Sequence, residues 1–450
     1  MSSNISVIML CAGKGERMKS DLPKVLHKIA GESMISHVMS SVSNFNISDL
    51  VAVINNSQEL VKDEVKNIFP EAKFAFQNNP QGTGDAVSIA LQEFDNREDT
   101  LIILYGDTPF IEEETIRSMI DKVEVDSNDV VVLGFNNEAD NRYGRLVIDD
   151  NNNLNEIIEY KDASDAQRKI SICNSGVMAI RGENIEKLIS EINNNNAKGE
   201  YYLTDIVSIS KNNGLKSSFI IVEEDEVLGV NTQYERSIAE NKLQDRLRLK
   251  AMSEGVFMAD HKSVYLQKNT KFGRNVVIHQ NVVIGKNVEI GDNVEIKAFS
   301  QLEECVIGNN VVIGPYARIR PGTEIGEGAK IGNFVEIKKS LIDEGAKISH
   351  LTYIGDSEVG KNANIGAGTV TCNYDGYNKL KTVIGENVFV GSNTSLVAPV
   401  NIGKGAVIGA GSTVIKEVME NSITRNQMPQ INDEGKALKY RENRNNKIES

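Results

Sequence analysis

Val306-Ile307-Gly308-Asn309-Asn310-Val311-Val312-Ile313-Gly314-Pro315-Tyr316-Ala317-Arg318-Ile319 places an isoleucine at every sixth residue. Upstream the same period runs through Phe272, Ile278, Ile284, Ile290, Ile296 and Leu302. Downstream it continues through Ile325, Ile331 and Ile337. Five-residue steps precede Ile307, Ile342 and Val359; Ile348 and Ile354 lie between the last two, and Ile365 follows Val359. It restarts at Ile384, Val390, Leu396, Ile402, Ile408 and Val414. A period of six matches neither the 3.6 of a helix nor the 2 of an alternating strand. It matches short strands separated by sharp corners, with one aliphatic side chain per face pointing inward. Glycine often follows the ladder residue, as at Gly285, Gly291, Gly314 and Gly326, and lets the backbone turn tightly. The pattern is that of a hexapeptide parallel β-helix, a solenoid whose coils contact only their neighbours. A β-sandwich with regular turns does not hold such a period over so many rungs. The ladder is interrupted after Thr371 by Cys372-Asn373-Tyr374-Asp375-Gly376-Tyr377-Asn378-Lys379, a loop bulging from the solenoid where function tends to sit.

Between Leu266 and Val414 lie 21 of the chain's 36 glycines. From Ser6 to Asn231 the pattern changes to apolar runs alternating with helical stretches, which suggests a parallel α/β sheet. Candidate strands are Val7–Cys11, Leu50–Ile54, Thr100–Tyr105, Val130–Phe135 and Val177–Ile180. Residues 232–253 form a polar helical linker carrying Leu243, Leu247 and Leu249. The expected organisation is an α/β domain over 1–231, the linker, a β-helix over 254–414, and a polar tail over 415–450 that buries too little surface to order itself.

The 450-residue length allows two or three domains and a real core without disulfides. Cys11, Cys173, Cys305 and Cys372 are scattered with no CxxC spacing, which favours reduced thiols and a cytoplasmic location. The apolar runs are too short to span a bilayer, so no membrane partner is expected. A net charge of −14 argues against broad binding to nucleic acid.

The first loop carries chemistry. A candidate strand runs into Cys11-Ala12-Gly13-Lys14-Gly15-Glu16-Arg17-Met18, followed by Leu22-Pro23-Lys24. Glycines after a strand allow close backbone approach to phosphate, and consecutive amides form an anion-binding concavity. Arg17 and Lys24 add cations matched to a triphosphate. The pattern is neither GxGxxG nor GxxxxGK[ST]. It resembles the signature of sugar-nucleotide pyrophosphorylases. Further segments narrow the resemblance: Gln77 with Gln81-Gly82-Thr83-Gly84, Leu104-Tyr105-Gly106-Asp107, Tyr143-Gly144-Arg145, Glu159-Tyr160-Lys161-Asp162, Asn174-Ser175-Gly176, Gly199 through Asp205, and Gly229-Val230-Asn231. Gly332 through Lys338 and His350 through Asp356 extend it into the β-helix. Over nearly its whole length the chain resembles the bacterial bifunctional N-acetylglucosamine-1-phosphate uridylyltransferases/glucosamine-1-phosphate N-acetyltransferases. That resemblance implies a Rossmann-like nucleotidyltransferase domain followed by a left-handed parallel β-helix.

In the first domain the resemblance implies that N-acetylglucosamine-1-phosphate attacks the α-phosphorus of UTP and pyrophosphate leaves. Asp107 and Asn231 would hold Mg²⁺, a donor set that suits a hard cation. Arg17 would neutralise the leaving pyrophosphate and Lys24 the substrate phosphates. Leu10, Cys11, Ala12, Gly13, Tyr105 and Gly106 join them around the substrates, with Gln77, Gly82 and Thr83 at uracil and Gly144, Glu159 and Asn174 at the sugar. The chain departs from the family at Cys11, usually Ala or Gly, and at Glu16, usually Thr. Cys11 makes uridylyl transfer a candidate for inhibition by thiol reagents.

In the β-helix, acetyl transfer from acetyl-CoA to glucosamine-1-phosphate requires a neutral amine, and a histidine is suited to take its proton. Of the two solenoid histidines, His279 reads as surface and His350 stands where the family places its base. By the same resemblance Arg320, Lys338, Tyr353 and Asn364 bind the sugar phosphate. Ala367, Asn373, Tyr374, Ser392 and Ala410 would bind the coenzyme, with Gln427 at the tail position where the family has Arg. The family forms homotrimers with acetyl sites between subunits. Two other readings remain open on sequence: a nucleotidyltransferase whose β-helix only regulates or oligomerises, and a noncatalytic scaffold.

Overall fold

The computed structural model describes residues 4–95, 99–138, 141–426 and 430–445. The chain divides into two compact units, Met1–Leu243 and Gln244–Ser450.

In the first unit, nine strands form one sheet. They are β1 (Asn4–Leu10), β2 (Asn46–Ile54), β3 (Lys73–Phe76), β4 (Thr100–Tyr105), β5 (Val130–Asn136), β6 (Arg145–Ile148), β7 (Leu154–Ile158), β8 (Ile172–Ile180) and β9 (Ser217–Val222). The spatial order is β9-β5-β8-β4-β1-β2-β3, with β6 and β7 as a hairpin beside β8. Ile5 to Met9 in β1 are buried on both faces, as a central strand with covered faces requires. On one face Ile35, Val38, Ile116 and Met119, from helices Met34–Ser40 and Glu113–Glu124, share a core with Val7 and Ile102. On the other, Ala86, Val87, Ile185, Leu188 and Ile206 pack with Ile8, Val51 and Ile103.

Strands β3, β2, β1 and β4 are mutually parallel, and β9 is parallel to β5. The expected parallel sheet fails at β8, which runs antiparallel to both β4 and β5. Between β5 and β8 the chain makes the β6–β7 hairpin instead of a helical crossover, and antiparallel neighbours need no crossover. The sheet is mixed. The ends of β1 and β4 lie side by side, where Gly106 N–H donates to Leu10 O at 3.1 Å. Ligands of open α/β sheets collect at such carboxyl ends.

In the second unit, short strands stack into three parallel sheets of ten, nine and eight strands. The first carries Ile278, Ile296, Ile313, Ile331, Ile348, Ile365, Val390 and Ile408 in register. The second carries Leu266, Ile284, Leu302, Ile319, Ile337, Ile354, Leu396 and Val414. The third carries Phe272, Ile290, Ile307, Ile325, Ile342, Val359, Ile384 and Ile402. Except for half-buried Phe272, these side chains are buried in one continuous aliphatic core, the expected left-handed hexapeptide solenoid. Thr371 fills the ladder position that the hydrophobic reading leaves blank, and its hydroxyl accepts from Gly355 N–H at 2.8 Å.

The irregularities share one corner. The five-residue steps from Leu302, Ile337 and Ile354, and the insertion after Thr371, all lie between the second and third sheets. The short corners contain Glu304, Lys339 and Asp356 at positive φ. Between the third and first sheets the left-handed positions at 275, 293, 310, 362 and 387 are Asn, whose short polar side chain tolerates that conformation. Pairing extends past Val414 to Ile423–Thr424, and helices span Gln233–Ser253 and Lys436–Asn445. Within the tail expected to lack order, Val418 is buried in the solenoid core, whereas the second helix is exposed from Lys436 through Arg441. Among the described residues no helix is long and apolar enough to cross a membrane.

Candidate functional sites

At the carboxyl ends of β1 and β4 the first unit holds a cleft of about 440 Å³. Leu10, Cys11, Ala12, Gly13, Lys24, Gln77, Gly82, Thr83, Tyr105, Asp107, Glu159 and Asn174 all line it. Residues as far apart in sequence as Leu10 and Asn174 are thus gathered by loops at strand ends. Two glycines explain why the loops fit. A Cβ on Gly15 (φ +67°) would stand 2.7 Å from Lys24 Cβ, so Gly15 gives the Lys24 stem its place. A Cβ on Gly82 (φ +120°) would meet Tyr201 O at 2.4 Å.

Polar contacts order the cleft. Gln77 Nε2 donates to Gly82 O at 3.1 Å and to Asp85 at 2.7 Å, which fixes the side chain beside Thr83. Asn174 Oδ1 accepts from Gly176 N–H at 2.9 Å, while Asn174 N–H donates to Gly144 O. Gly144 therefore stands behind Asn174 rather than in the cleft lining. Glu159 accepts from the Thr204 hydroxyl at 3.2 Å, and burial pushes its carboxyl above the usual range. Nearby Asp205 is pushed up to about 6, by burial first and then by Glu159, Asp162 and Glu156.

Asp107 and Asn231 converge. Val230 N–H donates to Asp107 O at 2.9 Å, which brings the two segments together. Lys24 Nζ contacts Asp107 Oδ2 and lies 3.1 Å from Asn231 Oδ1. Arg17 donates to the same Asn231 oxygen at 2.8 Å. A carboxylate oxygen and an amide oxygen thus already face one cation, a donor set that fits a hard divalent ion.

Two sequence departures resolve differently. Glu16 is exposed and lies outside the cleft lining. Cys11 is 2 % exposed, and burial pushes its thiol far above the ordinary value, with Asp107 adding to the shift. Its thiolate is therefore suppressed, which runs against its use as a handle for thiol reagents. Lys198, Glu200, Tyr202 and Thr204 also line the cleft. The motif Gly199 through Asp205 marks three of these four in the sequence, but no spacing rule connects them to Glu159.

On the solenoid, register converts sequence into columns. His350 lies two residues beyond Ile348; Ala367, Ser392 and Ala410 lie two beyond Ile365, Val390 and Ile408. They form one line along the edge between the first and second sheets, with Asn333 directly beneath His350. His350 Nδ1–H donates to Asn333 Oδ1 at 2.5 Å. That contact leaves the Nε2 lone pair available, the form a base requires. Asn333 was quoted in the motif, but its orienting contact comes only from the coil register. His279, read as surface, is paired with Glu295 at 3.0 Å.

A second group occupies the opposite margin of the second sheet. Lys338, Tyr353, Asp356 and Asn373 meet there: Lys338 Nζ is 3.9 Å from Asp356, and Asn373 Nδ2 donates to Asp356 at 2.5 Å and lies 3.5 Å from Tyr353 Oη. The ammonium of Lys379, from the inserted loop, is the main cause holding Lys338 below its ordinary pKa, with burial second. Two cations confined together favour an anion between them. Lys379 was missed because an exposed lysine in a polar loop carries no signal of its own. Arg320 is paired with Glu336 at 2.8 Å, one coil from Lys338. Asn364 lies on the first sheet, beside Lys347 and Phe389. Tyr374 is exposed on the loop, its hydroxyl donating to Gly376 O at 2.6 Å. Gln427 lies outside the described residues, whereas Arg425 beside it is exposed.

Comparison with known proteins agrees with both units. Residues 7–189 match the MobA-like NTP transferase domain family. Residues 269–303, 304–339 and 381–416 match the bacterial transferase hexapeptide family. The bifunctional protein GlmU of Paramagnetospirillum magneticum is 46 % identical over 444 residues, covering 98 % of this chain and 97 % of its own. That of Parvibaculum lavamentivorans is 48 % identical over 416 residues, covering 92 % of each. That of Zymomonas mobilis is 42 % identical over 443 residues, covering 98 % of each. With a nucleotide-type cleft in one unit and a histidine-bearing hexapeptide solenoid in the other, matched end to end by such relatives, this chain belongs to the bifunctional GlmU family.

Proposed function

We propose that this chain makes UDP-N-acetylglucosamine in two transfers at two separate sites. It is a bifunctional transferase: the solenoid moves acetyl from acetyl-CoA to glucosamine-1-phosphate, and the N-terminal cleft joins N-acetylglucosamine-1-phosphate to the uridylyl group of UTP. The observation that carries the reading is the pair of constellations, Lys24–Asp107–Asn231 in one unit and Asn333–His350 in the other.

At the solenoid, His350 Nε2 takes the proton of the substrate ammonium while Asn333 holds the ring. The freed amine attacks the thioester carbonyl; as the C–N bond forms the C–S bond breaks, and the second nitrogen proton passes to the departing sulfur, so the products are the neutral amide and the coenzyme thiol. Lys338, Lys379 and Arg320 hold the sugar phosphate, with Tyr353 and, from the first sheet, Asn364 completing the pocket. The column of Ala367, Ser392 and Ala410 offers a small-residue track for an extended coenzyme, joined by Asn373, Tyr374 and, at the tail, Gln427. His350 and the lysines lie at opposite margins of one sheet, which supports completion of each site by a neighbouring copy in a homotrimer.

In the cleft, Lys24 and Arg17 neutralise phosphate charge while the sugar-phosphate oxygen attacks the α-phosphorus and pyrophosphate departs. Gln77, Gly82 and Thr83 receive uracil; Gly144, Glu159 and Asn174 position the sugar; Leu10 through Gly13 with Tyr105 and Gly106 form the floor. Asp107 and Asn231 would hold Mg²⁺, whose chemistry here is neutralisation of phosphate charge. We place uridylyl transfer in residues 1–231 and acetyl transfer in 254–414, joined by the 232–253 helix and followed by the 415–450 tail. A polar chain of this kind is expected in the cytoplasm. An assay with glucosamine-1-phosphate, acetyl-CoA, UTP and Mg²⁺ tests the reading. UDP-N-acetylglucosamine should form only when all are present; a purely regulatory solenoid would require preacetylated sugar.

A further inference from the structure

Lys24 sits where two roles collide. Its Nζ contacts Asp107 Oδ2 and lies 3.1 Å from Asn231 Oδ1, the two oxygens that would hold the metal. The side chains of Lys24 and Asp107 are only 15 % and 17 % exposed, so this is no solvated surface pair. Arg17 occupies the Asn231 oxygen as well, at 2.8 Å. An ammonium and a divalent cation compete for one carboxylate oxygen, because their mutual repulsion grows as water is excluded. The same lysine lines the nucleotide cleft, with the base of its stem close against Gly15.

We infer that Lys24 is a tethered counter-cation that holds the Asp107–Asn231 pair closed to metal until a triphosphate draws the ammonium away. The inference rests on reading Asp107 and Asn231 as the metal holders, and adds a dependence between ligands. Nucleotide phosphate competes for Lys24 and so frees the oxygens; metal, once there, keeps Lys24 on phosphate. By linkage, each ligand tightens the other by the same factor. Without nucleotide the chain binds divalent metal weakly, because the lysine must first be displaced. Lys24 therefore works twice, against metal in the free chain and on phosphate in the loaded one.

The test is Mn²⁺ binding to the full-length chain without nucleotide, read from the electron paramagnetic resonance signal of free Mn²⁺. Lys24→Met and Lys24→Gln, two variants of different polarity, should each bind Mn²⁺ roughly tenfold more tightly than the unaltered chain. Adding Asp107→Asn to either should abolish that gain. If the Lys24 variants bind no more tightly while Asp107→Asn still weakens binding, the metal site stands and the counter-cation role is overturned. If Asp107→Asn changes binding in no background, the metal assignment falls and takes the inference with it.

Discussion

The cleft and the solenoid build their sites by opposite means. In the cleft, Leu10, Gln77, Asp107, Glu159 and Asn174 come from separate loops, and no sequence interval relates one to the next. On the solenoid, a coil of 17 or 18 residues places His350 one rung above Asn333 and one below Ala367. A cleft made of loops is only as well placed as the sheet beneath it. A column on a solenoid inherits its position from the ladder, so its geometry survives wherever the hydrophobic repeat does. The contrast predicts that single substitutions in either unit silence one transfer and leave the other.

The largest effect should come from His350→Ala, which removes the proposed base: acetyl transfer should fall roughly 10²- to 10⁴-fold with uridylyl transfer unchanged, read in separate assays. Asp107→Asn should do the reverse, with uridylyl transfer down by on the order of 10²-fold and acetyl transfer intact. A comparable loss of both activities in either variant would erase the distinction between the regions. Asn333→Ala should lower acetyl kcat by roughly tenfold, with the loss concentrated in kcat rather than in the KM for sugar phosphate, because it frees the His350 ring without removing it.

Stability sharpens the same comparison. Ile337→Ala, at a fully buried rung, should cost about 2–5 kcal/mol by chemical denaturation, as cavities in tightly packed cores do. The smallest effect concerns Asp205, whose pKa of about 6 in the folded chain exceeds the ordinary 3.8. A raised carboxylate pKa favours the folded state when protonated, so stability is lost as pH rises from about 4 through 6. Asp205→Asn should therefore raise the melting temperature at pH 8 and leave it nearly unchanged at pH 4.

Legibility followed the same division. The hexapeptide period picked out the inward ladder from Ile278 to Val414 except at Thr371, because side-chain direction in a solenoid is a function of residue number; the three sheets that share it come from the structure. The antiparallel β8 was not legible, since an apolar run such as Val177–Ile180 carries no sign of its direction. Among site residues, motif resemblance reached many of those that line the cleft, including Thr83 and Glu159, but not Lys198. It did not reach Lys379, whose meaning comes from Lys338 across the corner, nor the contact of Asn333 with His350. The burial of Cys11 was equally hidden, because it depends on Gly106 lying close against the sulfur and on a core shared with Val25.

The central claim is that one chain holds two independent transfer sites. The direct measurement is complementation: His350→Ala and Asp107→Asn chains, purified separately, are supplied with glucosamine-1-phosphate, acetyl-CoA, UTP and Mg²⁺ alone and then mixed. Neither should form UDP-N-acetylglucosamine by itself, and the mixture should, as acetylated sugar phosphate released by one chain is consumed by the other. Product from either variant alone at the rate of the unaltered chain, or none from the mixture, would contradict the account.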